Sequence, residues 1–337
     1  MEIDTSVSGG YLFFNPQKGF ATALESIYGV SDEFTITVLY DNDKLLERVL
    51  DAIMYLDYEG VVRKINLNEF ERPLTKLPEK IKEGITGITH AINIFDAYPE
   101  ERPFRVKLIE AQTKAKAKVV HCPGLTDYMF RLNGPLDIDY QELVEKAELL
   151  INKLNDFEEF EILTGANKEY SLRLNVGDRK WLTDLKVEKG FGNLPAGEVF
   201  IAPLEESANG TLYVEHRAGE YELQKPVIIE WKNGEIIDIK SQDKDIERIL
   251  KEEIEKHEYG SVIGEFAIGI NSNADPKAPI LESEKSGAHI ARGPQEDFGS
   301  KYQCNDHQDF LIVNATIYGI LHNEKIKIYD KRKVILE

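Results

Sequence analysis

The sequence predicts a two-part α/β chain, with a flavodoxin- or Rossmann-like α/β domain over residues 1–136 and a β-rich α+β domain over 137–337. Three observations carry that expectation. Strand-like runs alternate with amphipathic helices in the first part. Alternating, paired strands dominate the second part. Between them, DYQELVEKAELLINKLNDF (139–157) reads as a charged amphipathic helix that takes the chain across. The length agrees, since 337 residues exceed one comfortable core and suit two.

Taken in order, FTITVLYD (34–41) is rich in β-branched and aromatic residues and predicts a strand. A helix follows from about Lys44 to Leu56, because Leu45, Leu46, Val49, Leu50 and Ile53 recur at helical spacing. ITHAINIFDA (88–97) predicts another strand, and FRVKLIEAQTKAKA leads by a helix into KVVH (118–121). This alternation implies a parallel sheet. No GxGxxG follows any of these strands, so a dinucleotide site has no support. HCPG (121–124) is a turn after a strand, where α/β proteins bind ligands, although a structural turn is the plainer reading. Beyond the crossing helix, FEILTG and YSLRLNV predict paired strands, and GTLYVEH predicts another. PVIIEWKNGEIIDIKS sets Asn233-Gly234 between two alternating apolar runs, which signals a hairpin. A helix is expected from about Asp243 to Lys256, and FLIVNATIYGILHNEKIKIYDKRKVILE closes the chain with strands and turns.

Composition excludes more than it names. Apolar residues make up 42% and charged residues 30%, the balance of a soluble globular protein. No window approaches the roughly 18 apolar residues of a membrane helix. The start, MEIDTSVSGG, lacks the basic and apolar regions of a signal peptide. Cys122 and Cys304 are the only cysteines, so no disulfide framework is expected and a reducing, cytoplasmic setting fits. The formal charge of −19, from 60 acids and 41 bases, disfavours nucleic acid and anionic membranes as partners.

Five potential ligands stand out in the second part, each beside glycine or in an apolar frame. GNLPAGEVFIAP holds Glu198, IGEFAIGIN holds Glu265, SGAHIARG holds His289, and DHQDFLIV holds His307 and Asp309 two apart on one strand face. Glu265, flanked by Ile263, Phe266, Ala267 and Ile268, would cost several kcal/mol if buried unpaired. Few cations are evident around it, and one divalent ion compensates several carboxylates. Oxygen and nitrogen ligands without thiolate suit Zn²⁺, Mn²⁺, Co²⁺ or Fe²⁺. Taken singly, each residue has a plainer reading. His307 and Asp309 could cap a turn, Glu198 could be a solvated acid, and His289 could be a satisfied core histidine.

These motifs, from about Gly192 to Ile312, resemble those of the thermophilic metalloaminopeptidases of the aminopeptidase T and aminopeptidase S type. The resemblance implies two divalent metal ions (Zn, Co or Mn) held by Glu198, Glu265, His289, His307 and Asp309. It implies hydrolysis of N-terminal peptide bonds of a small peptide substrate, with Glu198 or Glu265 as bridge or base, in a homodimer. One departure is clear: no tyrosine lies between His289 and Tyr302, where the peptidases carry one soon after the histidine. The same superfamily includes an enzyme that opens dihydroxypyridine rings with non-haem Fe(II), and His289, His307 and Asp309 would supply its two-histidine, one-carboxylate triad. A metal-stabilised binding protein without turnover is a third reading.

Other candidates rank lower. No GxSxG elbow supports a serine nucleophile. Cys122 beside His121 reads as structural, and Cys304 as a small buried hydrophobe near the His307 motif. His90, His216, His257 and His322 read as surface or loop residues, and Arg292 and Lys301 as solvated cations.

Overall fold

A computed structural model describes residues 17–96, 98–187 and 190–336, so MEIDTSVSGG lies outside the described residues. The N-terminal lobe is built on a five-stranded parallel sheet whose strands run Gly60–Asn66, Phe34–Tyr40, His90–Ile94, Lys118–His121 and Phe191–Gly192 from edge to edge. Its inner strands are apolar on both faces, with Ile36, Val38, Leu39, Ala91, Ile92, Val119 and Val120 all buried. Helices cover both faces, which is why these strands read as continuous apolar runs. On one side lies the Asp43–Tyr55 helix, started by Asn42, whose side chain accepts from the amides of Lys44 and Leu45. It buries Leu45, Leu46, Val49, Ala52 and Ile53. On the other side the Arg102–Lys114 helix buries Phe104, Leu108 and Gln112. The last edge strand, Phe191–Gly192, returns to this sheet from the second half of the chain.

The crossing helix spans Tyr140–Leu154 and is capped by Asp139, which accepts from the amides of Gln141 and Glu142. Two antiparallel sheets follow. One has eight strands, with the hairpin of Val227–Lys232 and Glu235–Ser241 at one edge. Asn233 and Gly234 both take positive φ, 50° and 81°, as a two-residue hairpin turn requires. The other has seven strands and holds, side by side, Gln308–Leu311, Ala288–Arg292, Ile263–Gly269 and Glu198–Ile201.

Strand alternation divides this second sheet cleanly. One face carries Val199, Ile201, Phe266, Ile268, Ile290 and Phe310, all buried in the main core with Phe160, Ile162, Leu172 and Leu212 of the eight-stranded sheet. The opposite face carries Glu198, Glu265, His289 and Asp309. The apolar frame around each polar residue is therefore the other face of its own strand.

The mixed α/β class, with a parallel first sheet and a β-rich remainder, is as the sequence predicts. Among the elements that fall where the sequence reading names none are the Lys18–Ser26 helix, the Gly60–Asn66 strand and the Glu79–Gly84 helix. The strand, GVVRKIN, lies at the sheet edge and is largely exposed, so it lacks the apolar signature of its neighbours. Among the described residues, no helix is long and apolar enough to cross a membrane.

Candidate metal centre

Cross-strand register gathers the polar face. Glu265 and Asp309 both lie opposite Ala291, His289 lies opposite Ala267, and Glu198 lies opposite Gly269. Small residues at 267, 269 and 291 thus sit between the larger polar ones. His307 precedes the Gln308–Leu311 strand and, two residues from Asp309, turns to the same side.

The side chains meet. His307 Nε2 lies 2.8 Å from Glu265 Oε2 and 3.3 Å from Asp309 Oδ1. His289 Nε2 lies 3.6 Å from Glu198 Oε2 and 3.9 Å from Glu265 Oε1. Donor atoms of Glu198, Glu265 and His289 fall within 4.8 Å of one another, as do those of Glu265, His307 and Asp309. Glu265 belongs to both trios, with one carboxylate oxygen toward each histidine.

The polar groups here are buried and incompletely paired. Glu265 is 4% exposed and His289 2% exposed. Glu198 Oε2 and His289 Nδ1 are buried without a hydrogen-bond partner, and Asp309 Oδ1 faces His307 Nε2 at 3.3 Å. Such orphans are costly unless a ligand satisfies them. The ring of His307 is fixed by Nδ1, 2.9 Å from the carbonyl oxygen of Gly293, which leaves Nε2 to face the carboxylates. Burial alone would lower the pKa of His307, but hydrogen bonds to Asp309 and Glu265 raise it well above the ordinary value. Burial would raise Asp309, yet the neighbouring His307 holds it below the usual carboxylate range. In the metal-free chain this direction favours a proton on His307 beside the carboxylates. A divalent ion would displace that proton and satisfy the orphan oxygen of Glu198, so the donor set fits one.

A second layer lies behind Glu198. Lys285 is 2% exposed, and its Nζ contacts Glu198 Oε1 at 2.5 Å, Glu284 Oε1 at 2.8 Å and Asp184 Oδ2 at 3.1 Å. Asp184 also accepts from the amides of Gly197 and Glu198, at 3.0 and 2.9 Å. Burial, with Glu198 adding to it, pushes Asp184 up to about 6 against the opposing pull of Lys285. Burial also raises Glu284, with Glu198 and Asp309 adding to it. Gly269 makes this layer possible: a Cβ there would lie 2.5 Å from the backbone of Lys285 and 2.7 Å from that of Gly287.

Several sequence expectations need correction. A buried cation does stand beside the cluster, because Lys285 faces Glu198; the sequence reading names neither it nor Asp184 and Glu284. Arg292 is not solvated but fully buried, donating to Gln308 and Asp306 at 3.0 and 2.7 Å. His90 is buried on its strand, with Nε2 3.0 Å from the carbonyl oxygen of Tyr28. Lys301 is exposed and lies 3.6 Å from Glu205. His121 and Cys122 do not form a reactive pair. His121 contacts Asn93 and burial holds it neutral, pushed down to about 3. The Cys122 thiol accepts from the amide of Leu194 and burial pushes it up to about 12. Tyr302 stacks flat on Tyr259, centroids 4.3 Å apart, so its ring is committed there. The ring beside His307 is Phe298, at 5.7 Å, which packs edge-on against Phe200 at 4.9 Å.

Fold and site together define an α/β chain with a buried carboxylate–histidine centre on one face of an antiparallel sheet. Residues 132–298 match the family model described as thermophilic metalloprotease (M29), which bears out the resemblance carried by the motifs of Glu198, Glu265 and His289. His307 and Asp309 lie beyond the matched segment. The fold is similar to that of 2,5-dihydroxypyridine dioxygenase from Pseudomonas putida KT2440, with a TM-score of 0.67 at 15% identity over 95% of this chain and 96% of that one. It is equally similar to wild-type AmpT from Thermus thermophilus, with a TM-score of 0.66 at 14% identity over 96% of this chain and 100% of that one. At such identities the likeness is one of fold. Comparison with curated proteins gave no significant match.

Proposed function

We propose that this protein is a metal-dependent aminopeptidase that hydrolyses N-terminal peptide bonds at a centre for two divalent ions, zinc, cobalt or manganese. The observation that carries the reading is Glu265, which belongs to two donor trios and turns one carboxylate oxygen toward each histidine. One trio adds Glu198 and His289, the other His307 and Asp309. A carboxylate shared in this way fits a bridge between two ions, and the M29 match over residues 132–298 supports a hydrolytic use. Divalent ions held there would supply Lewis acidity, lowering the pKa of a water molecule and polarising the scissile carbonyl.

The chain's own residues do the positioning. Glu265 sets the separation of the two trios. His307 is oriented through the Gly293 carbonyl, and Glu198 through Lys285 and Asp184. Phe298 and Phe200, half-buried beside His307, offer an apolar surface for the side chain of an N-terminal residue. A cavity of about 350 Å³ beside Phe298 is also lined by Arg179, Lys180, Leu182, Glu296 and Asp297.

A second reading, a mononuclear Fe(II) ring-cleaving dioxygenase, is favoured by one observation: Tyr302, the first tyrosine after His289 in the sequence, is stacked on Tyr259. Against it, the compact trio around His307 and Asp309 is completed by Glu265 rather than His289. The two separate in one assay. Protein loaded with zinc, cobalt or manganese should release the first residue from peptides with a free N-terminus and spare N-acetylated ones. Oxygen uptake with 2,5-dihydroxypyridine by iron-loaded protein, without peptide hydrolysis under any metal, would replace the peptidase by the dioxygenase.

A further inference from the structure

We propose that Lys285 is a positioning residue of the metal centre, holding Glu198 by Oε1 so that only Oε2 is offered to an ion. The inference rests on the metal-centre reading above. An ammonium has three donors, and here three carboxylates lie around it: Glu198 at 2.5 Å, Glu284 at 2.8 Å and Asp184 at 3.1 Å. Asp184 in turn takes the backbone amides of Gly197 and Glu198, so Glu198 is fixed at both its main chain and its carboxylate.

Fold stability alone gives little reason for this arrangement, since a buried charge network is often no more stabilising than apolar residues of similar volume. What the network does achieve is geometric. With Oε1 taken by Lys285, the remaining oxygen of Glu198 is buried without a partner, 3.6 Å from His289 Nε2. Glu198 is thereby a one-oxygen donor to the His289 half of the centre. Among the described residues, Lys285 pairs with Asp184, Glu198 and Glu284 and not with Glu265, His307 or Asp309, and it reaches Asp309 through its charge alone.

The test is a zinc titration of metal-free protein. Wild type should take up two ions. Lys285→Met should bind the ion of the Glu198–His289 half about 10- to 100-fold more weakly, the usual cost of losing a group that orients a ligand. Its other ion should bind near wild type, its metal-free form should melt lower because three carboxylates lose their cation, and Lys285→Arg should recover part of both losses. Glu284→Gln, which keeps the Lys285–Glu198 contact, should titrate like wild type. If Lys285→Met does not fold, Lys285→Met/Glu284→Gln removes one charge of each sign and carries the same expectation. A folded Lys285 variant that binds both ions like wild type overturns the proposal, as does an equal loss in Glu284→Gln. Wild type that binds no zinc instead overturns the metal-centre reading itself.

Discussion

Two buried charge clusters in this chain differ in whether they are finished. In the N-terminal lobe, Arg72 lies between Asp41 and Glu101. Its guanidinium donates to Glu101 at 2.8 and 2.5 Å, contacts Asp41, and reaches the carbonyl oxygen of Asp96 at 2.9 Å. The carboxylates are filled out by backbone amides, Leu74 on Glu101 and Asp96 on Asp41, each at 2.8 Å. In the seven-stranded sheet, Asp184, Glu198, Glu265, Glu284 and Asp309 are set against one ammonium, Lys285, and two imidazoles. Donor atoms there remain without partners. A cluster whose groups are all satisfied holds architecture in place, whereas one left short of positive charge is built to receive it.

The largest effect that would sharpen this contrast is at the shared ligand. Glu265→Ala should lose both ions and lower kcat/KM by at least about ten-thousandfold, more than about 5 kcal/mol of barrier. Metal analysis beside a peptide assay checks it. The finished cluster should behave in the opposite way. Arg72→Leu strands Asp41 and Glu101 and should cost about 3–5 kcal/mol of stability in denaturant melts, while metal content per folded molecule is unchanged. Loss of metal in the Arg72 variant, or of stability alone in the Glu265 variant, would break the comparison.

Removal of metal should be felt as stability. At free metal a hundredfold above Kd, each ion contributes about 2.7 kcal/mol, so chelation should lower the melting temperature and re-addition restore it. The metal-free chain should then show the signature of His307. Its folded pKa is raised above the unfolded value, so its contribution is fully present below about pH 6.5 and is lost as pH rises through the folded pKa. His307→Gln should flatten that dependence. Metal uptake needs the neutral imidazole, so binding should release a proton, measurable by calorimetry in buffers of different ionisation enthalpy. The smallest effect concerns the aromatic pair. Phe298→Ala should raise KM for substrates with large apolar N-terminal residues about fivefold, near 1 kcal/mol of lost contact, with kcat little changed.

How far the sequence was legible follows the same division. Helices and inner strands announced themselves through periodicity, as Leu45 to Ile53 illustrate. Glu265 stood out because strand alternation puts a carboxylate between the core residues of its own opposite face. Lys285 did not, because the polar segment ESEKSG carries no apolar pattern that marks burial. Only the close approach of that segment over Gly269 buries its ammonium. Arg292 and His90 were misread for a related reason: a polar side chain in a strand looks solvated until the register supplies its partners, here Gln308 with Asp306 and the Tyr28 carbonyl. Pairing across strands, which sets Ala291 between Glu265 and Asp309, is long-range information that no local pattern contains.

The most direct test of the central claim is the number of ions per chain, counted by native mass spectrometry on protein purified without chelator and then reconstituted with zinc. Two ions in wild type, with none in Glu265→Ala, is the result the account predicts. A single ion that survives in Glu265→Ala, or no ion in wild type, would contradict it.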